Sequence, residues 1–383
     1  MGKQHIQPQH TQSGAVSIFA VIFAALLLTI LTVGFIRLMI SEQQRATNSD
    51  LSQSAYDAAL AGIEDAKRVV RACATGSDMQ ACNALVAPSD CKVVARAGIA
   101  GSEDSEETVI QTSTSGNGSD FNQAYTCVNI DMDTPDFLFA ASEGTSQLIP
   151  LKAGGDFNQI TIEWFTQQDV GDGNTPVKPG GDNITELPTK DNWGVNAPPV
   201  MRAQVITPGE SFTLESLNES NASQTVFLRP FQMADDGSQS TNVSLGGIFR
   251  ATDDGVHSND LKPVTCSKNL EENNGYSCKA VLILPASVTG SASQNAFLRL
   301  TTIYRNANVR VQLAYEGTAV KFIGIQPSVD STGRASNLFR RVEARLQIGN
   351  DFPYPSYALD IANSLCKDFS VDSTSVTGST CQP

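Results

Sequence analysis

Residues 14–40 read GAVSIFAVIFAALLLTILTVGFIRLMI, and residues 41–73 continue as SEQQRATNSDLSQSAYDAALAGIEDAKRVVRAC. No formal charge falls between Val16 and Ile36, a run of 21 residues. As an α-helix rising about 1.5 Å per residue, this run is about 32 Å long, enough to cross the hydrocarbon core of a bilayer. The following segment is largely polar, but Leu51, Ala55, Ala58, Gly62, Ala66, Val69 and Cys73 recur at spacings of three and four. That period lays them along one helix face, with Gln53, Asp57, Glu64 and Lys67 off the stripe. No proline interrupts residues 14–73. The stretch predicts one continuous helix, a membrane span followed by an amphipathic stalk, stopping at Thr75-Gly76-Ser77.

Outside this helix the 383-residue chain is rich in Gly, Ser, Thr, Asn and Asp and carries 17 Pro, the composition of a β-rich exported domain with many turns. A net charge of −14 excludes the basic surface that neutralises phosphates, so nucleic acid is not expected as a partner. All eight cysteines, Cys73, Cys82, Cys91, Cys127, Cys266, Cys278, Cys366 and Cys381, follow the apolar run. Their even number and position point to disulfides in an oxidising compartment, and none forms a CxxC pair. Short separations favour Cys266 with Cys278 and Cys366 with Cys381. Of the three connectivities open to the first four, Cys73–Cys82 with Cys91–Cys127 is the most local.

Residues 1–40 admit three readings. A cleaved secretory signal needs a shorter apolar run and a small-residue cleavage site, which FIRLMISEQQ does not offer. A plain signal anchor needs only the span. The flanking charges, Lys3 before it and Arg37 and Arg45 after it, give no orientation. Arg37, inside the end of the run, is expected to snorkel to the head-group level. The third reading starts from Gly14, a small residue that closes a hydrophilic leader directly before the apolar run.

The segments SGAVSIFAVIF, QSAYDAALAGIEDAKR and DSTGRASNLFRRVEARL together resemble PilX-type minor pilins of the type IV pilin class, and pilin-like proteins of the Saccharibacteria type. They cover under a fifth of the chain. The resemblance implies that a prepilin peptidase cuts after Gly14, that Ala15 becomes the mature N-terminus, and that residues 15–40 sit in a lipid bilayer before packing against other pilin-like subunits. It also implies a disulfide-closed C-terminal loop, which the spacing of Cys366 and Cys381 fits. One position departs from the pattern: where most pilins carry Glu as the fifth mature residue, this chain has Phe19. Pilin-like subunits without that Glu tend to be minor or tip subunits. The alternative from a different class is a permanently anchored single-pass receptor or adhesin that never polymerises.

Alternating or turn-bounded patterns predict strands at Cys91–Ala97, Thr108–Ser113, Ala124–Asp131, Gln159–Phe165, Val200–Ile206, Thr225–Pro230 and Lys279–Leu284. Ala296–Tyr304 and Val309–Tyr315 read as a hairpin around Arg305-Asn306-Ala307-Asn308. Val342, Ala344, Leu346 and Ile348 alternate with Arg341, Glu343, Arg345 and Gln347, a half-buried strand with a charged outer face. The fold class expected is α+β: a long N-terminal transmembrane and stalk helix with a β-rich, mostly antiparallel ectodomain in two lobes. The segments are a leader 1–14, helix 15–73, lobes 74–260 and 261–348, and a tail 349–383.

No enzyme motif accompanies these elements. His5, His10 and His257 are the only histidines, and no GxSxG, P-loop, HExxH or strand–GxGxxG–helix occurs. The adjacent acids Glu106-Glu107 and Asp235-Asp236 lie in solvated loops. Asp169, Asp172, Asn174 and Asp182 supply oxygen donors without EF-hand spacing, so neither metal nor cofactor is assigned. Trp164-Phe165 belongs to a core strand. Trp193, in KDNWGVNAPP, falls in a loop that could contact a partner, although packing is the default. The expectation is a non-enzymatic subunit whose head meets an unidentified surface ligand.

Overall fold

The computed structural model describes residues 14–86, 91–105, 107–110, 122–181, 187–210, 213–217, 222–235, 241–245, 261–271 and 274–347. In chain order it begins with α1 (Gly14–Ala74), α2 (Met79–Val86), α3 (Val93–Arg96), β1 (Thr108–Val109) and β2 (Gln123–Thr134). There follow β3 (Phe137–Ala141), β4 (Ser146–Pro150), β5 (Phe157–Thr166), α4 (Gln167–Val170), β6 (Val200–Ile206) and α5 (Leu214–Leu217). Next are β7 (Ser223–Ala234), β8 (Thr241–Ser244), β9 (Leu261–Ser267) and β10 (Tyr276–Val288). The chain closes with β11 (Phe297–Ile303), β12 (Ala307–Tyr315), β13 (Thr318–Val320), β14 (Phe322–Ala335) and β15 (Leu338–Arg345). This is an α+β chain: a long apolar N-terminal helix followed by a β-rich, mostly antiparallel part.

Among the described residues two compact units form, one from residues between 14 and 132 together with 326–346, the other from residues between 133 and 325. The division differs from a boundary at 260. Phe227 to Ala234 on β7 pair in parallel with Leu261 to Ser267 on β9, so one sheet continues across that point. The change of unit falls instead inside two unbroken strands, β2 and β14, where no turn or composition shift marks it.

In the first unit, α1 runs 61 residues and stops where the sequence changes. Gly76 takes φ +66°, and its N–H donates to the Cys73 carbonyl (2.9 Å) while Ser77 N–H donates to the Ala72 carbonyl (3.1 Å). This is a Schellman C-cap, which needs a residue able to enter the left-handed region. The buried stripe of the helix is Ala55, Ala58, Ala59, Gly62, Ile63, Ala66, Val69 and Val70. Leu51 and Cys73, at its two ends, are only half-buried.

A four-stranded sheet ordered β1-β2-β14-β15 accompanies the helix. The helix face is built from small residues because the sheet backbone comes very close. A Cβ on Gly333 of β14 would overlap the backbone of Ala55, Ala58 and Ala59, and one on Gly62 would overlap Ser331 and Val128. Polar ties fix the register: Tyr125 Oη donates to Asp65 Oδ2 (2.9 Å), and Arg340 donates from Nε and Nη2 to Ser52 Oγ (2.8 and 2.6 Å). Arg334 of β14 grips the Glu107 carboxylate at 2.7–3.0 Å. β15 is an edge strand whose Arg340, Arg341 and Glu343 are exposed, with Arg341 paired to Asp330. Charge on an exposed edge discourages pairing with another chain.

One strand expectation fails here. Residues 93–96 form the helical turn α3. Val93 and Val94 are both buried, which neighbouring residues of a strand cannot achieve on one face, whereas a helical turn places them together. β1 covers Thr108 and Val109, and residues 111–113 lie outside the described residues.

In the second unit eleven strands form one sheet. Its main path is β13-β12-β5-β10-β9-β7-β6-β11-β4, with β3 on β12 and β8 on β10. The sheet folds back on itself. Ile160, Ile162, Trp164, Val309 and Val311 from one arm share a buried cluster with Met201, Ala203, Val226, Leu228, Leu298 and Leu300 from the other. Trp164 Nε1 donates to the Pro199 carbonyl at 3.1 Å, joining the two arms. The arms meet where β9 and β10 pair at Cys266 and Cys278. Pro230 within β7 lacks an N–H, and the pairing with β9 shifts register immediately after it.

The strands expected at 296–304 and 309–315 exist as β11 and β12, but they do not form a hairpin. β11 pairs with β4 and β6, whereas β12 pairs with β3, β5 and β13. The chain turns a corner between arms at Tyr304, whose φ is +81°. Its hydroxyl donates to the Pro188 carbonyl (2.6 Å) and its ring stacks on Trp193 with centroids 4.7 Å apart.

Candidate functional site

The N-terminal half of α1 presents sixteen large apolar side chains, from Ile18 to Ile40, with roughly half or more of each exposed. It is the one helix among the described residues long and apolar enough to cross a membrane, and none of its most apolar window is buried within the chain. The hydroxyls of its two threonines are already satisfied. Thr29 Oγ1 donates to the Leu26 carbonyl (2.8 Å) and Thr32 Oγ1 to that of Leu28 (2.9 Å). Back-bonding of this kind leaves neither of these hydroxyls unpaired in an apolar surrounding. Covering such a face is worth about 1.5–3 kcal/mol per large side chain. An apolar surrounding suits this face, and the helix is compatible with a single-pass membrane topology.

Gly14 and Ala15 open α1, and the leader before them, 1–13, lies outside the described residues. Six of the cysteine candidates form three disulfides: Cys73–Cys82 ties the end of α1 to α2, Cys91–Cys127 ties the segment before α3 to β2, and Cys266–Cys278 joins β9 to β10. Cys366 and Cys381 lie outside the described residues, as do His257 and Asp182.

The oxygen-rich segment around Asp169 has a structural task. The Asp169 carboxylate accepts from Thr166 N (2.7 Å) and Oγ1 (2.9 Å), and from Asn308 N (3.0 Å) and Nδ2 (3.0 Å). It caps α4 and fastens it to β12. Among the described residues no three His, Cys, Asp or Glu gather as metal ligands. Of the adjacent acids, Glu107 is paired with Arg334 and Asp235 with Lys268 (2.7 Å), while Glu106 and Asp236 lie outside the described residues. Trp193 is 1 % exposed and its Nε1 donates to the Pro198 carbonyl (3.0 Å), so it packs beside Tyr304 rather than meeting solvent.

Sequence reasoning passed over Glu163, which is 1 % exposed on β5. Arg310 of β12 donates to it at 2.6 Å, Lys279 of β10 lies at 3.6 Å, and the Arg310 guanidinium sits 4.8 Å from the Tyr276 ring centre. The three charges are direct cross-strand neighbours. The only sequence signal is an acid opposite two bases, which is invisible until the strands are paired. Burial pushes the Tyr276 hydroxyl pKa up, partly offset by Arg310. Burial likewise raises Tyr304, against the influence of Arg229.

Two open depressions lie beside α4 on the second unit. One, about 430 Å³, is lined by Glu143, Phe165, Gln168, Lys190, Tyr304 and Arg305 together with Asp169 and Asn306. The other, about 490 Å³, shares Gln168 and runs along Phe139, Tyr276 and Asn308. No protein-family model, curated protein or solved structure matches the chain.

Proposed function

We propose that this chain is a non-enzymatic, pilin-like subunit of a type IV pilus-like surface filament, held in the membrane by α1 before assembly. The observation that carries the reading is α1 itself. One helix exposes an apolar half and buries a small-residue half in its own head unit. In this account a prepilin peptidase cuts after Gly14 and leaves Ala15 as the first residue. Residues 15–40 then exchange lipid for the corresponding helices of other subunits. Both surroundings are apolar, so the helix face suits either without change.

Phe19 supports a minor or tip position. A carboxylate there would require a partner in the apolar filament core, and Phe requires none. The β-rich units are carried outward as the contact surface, with the disulfides keeping their elements together in an oxidising compartment. Fractionation tests the reading. Filaments sheared from the cell surface and washed free of membrane are expected to contain the chain. Its confinement to the membrane fraction in filament-bearing cells favours a permanently anchored receptor or adhesin.

A further inference from the structure

We propose that the 430 Å³ depression beside α4 binds a neutral saccharide, an inference that rests on reading the head as a contact surface. The volume lies within the range of small-ligand sites. Its aromatic lining is the half-buried Tyr304, beside the buried Phe165; their φ angles are +81° and +72°. Bulky side chains avoid that region, and backbone strain of this kind gathers at ligand sites. Two such residues, from β5 and the β11–β12 corner, meet in a single depression.

The rim is fixed before any ligand arrives. Lys190 Nζ contacts both Glu143 carboxylate oxygens at 2.6 and 2.7 Å. Asn306 Oδ1 accepts from the Glu143 N–H (2.8 Å), and Arg305 Nε donates to the Gly194 carbonyl (3.0 Å). Groups held in place lose little freedom on binding. Bonding capacity nevertheless remains among the described residues: the terminal nitrogens of Arg305, the amide nitrogen of Asn306 and the whole carboxamide of Gln168.

Lys190 and Arg305 are balanced by Glu143 and Asp169, so the lining carries no net charge although the chain as a whole carries −14. Asp169 is saturated by Thr166 and Asn308, leaving planar amide and guanidinium groups to do the recognising. Sugar hydroxyls both donate and accept, matching such groups, and the apolar face of a sugar ring suits the part of the Tyr304 ring left open beside Trp193. A charge-neutral rim gives an anionic ligand no advantage.

The test uses the full chain in detergent micelles, with an array of neutral oligosaccharides, oligogalacturonate and a peptide carboxylate as probes, read by saturation-transfer NMR. Binding of a neutral oligosaccharide that is insensitive to salt, and weakened about tenfold or more by Gln168→Ala and by Arg305→Ala, is the expected result. Asp172→Ala, outside the depression, should leave binding unchanged. Absence of neutral-sugar binding, retention of binding in both variants, or binding confined to the acidic probes and lost in salt overturns the inference. The N-terminal residue of the same preparation is read independently, so failure of the saccharide site and failure of the filament reading remain distinguishable.

Discussion

Gly333 on β14 lies directly against the backbone of Ala59 on α1, so close that a Cβ at position 333 would overlap the Ala59 amide nitrogen. The contact explains why this half of α1 is built from Ala and Gly: a strand can approach helix backbone to that distance only when neither side carries bulk. Gly333→Val should destabilise the head unit by about 3 kcal/mol or more, through overpacking against groups that cannot move aside. Gly155→Ala, where a Cβ meets nothing within 4 Å, should leave thermal unfolding nearly unchanged. Equal melting temperatures for the two variants would contradict the close packing.

Glu163 is the buried centre of a cross-strand charge cluster. Glu163→Gln leaves Arg310 and Lys279 facing a neutral amide and should cost about 3–5 kcal/mol, as removal of one partner of a buried pair does. Adding Arg310→Met should restore part of that loss. Urea unfolding of the single and double variants measures the coupling, and strictly additive losses would show that the residues act independently.

Tyr125 is held neutral by burial first and then by its bond to Asp65, with its pKa raised from an ordinary value of 10.0. A tyrosine whose folded-state pKa is raised contributes stability that is complete below the unfolded pKa. That contribution is lost as pH rises through the folded one, because the unfolded chain releases its proton first. Thermal melts of the wild type should therefore decline above about pH 10, and Tyr125→Phe should flatten the decline. A variant whose alkaline profile superimposes on that of the wild type would remove Tyr125 from the explanation.

Peptide mapping without reduction should recover Cys73–Cys82, Cys91–Cys127 and Cys266–Cys278 as linked pairs. Cys266→Ser with Cys278→Ser should lower stability by about 2–4 kcal/mol, since the pair holds β9 to β10 where the sheet folds over. Any crossed pairing among the first four cysteines would contradict the connection of α1 to α2.

What could be read from the residues depended on whether the determining interaction was local. α1 was legible because an uninterrupted apolar run, a three–four stripe and a Gly stop signal all lie within 61 residues. Cys73–Cys82 and Cys266–Cys278 were approachable because each spans a short loop, whereas Cys91–Cys127 spans 36 residues. The β11–β12 corner was not: apolar alternation is the same whether two strands share a layer or face each other across a core. Stacking of Tyr304 on Trp193 joins segments far apart in the chain. α3 was hidden because two adjacent valines suggest a strand until both prove buried. Unit boundaries were invisible because β2 and β14 pass through them as continuous strands. The depression beside α4 gathers residues from four separate segments, none of which carries a signal alone.

The mature N-terminus tests the central claim most directly. N-terminal sequencing and intact mass of the chain extracted from membranes should show Ala15 as the first residue, with 1–14 removed. A chain that retains Met1 and the leader while remaining in the membrane would contradict the account.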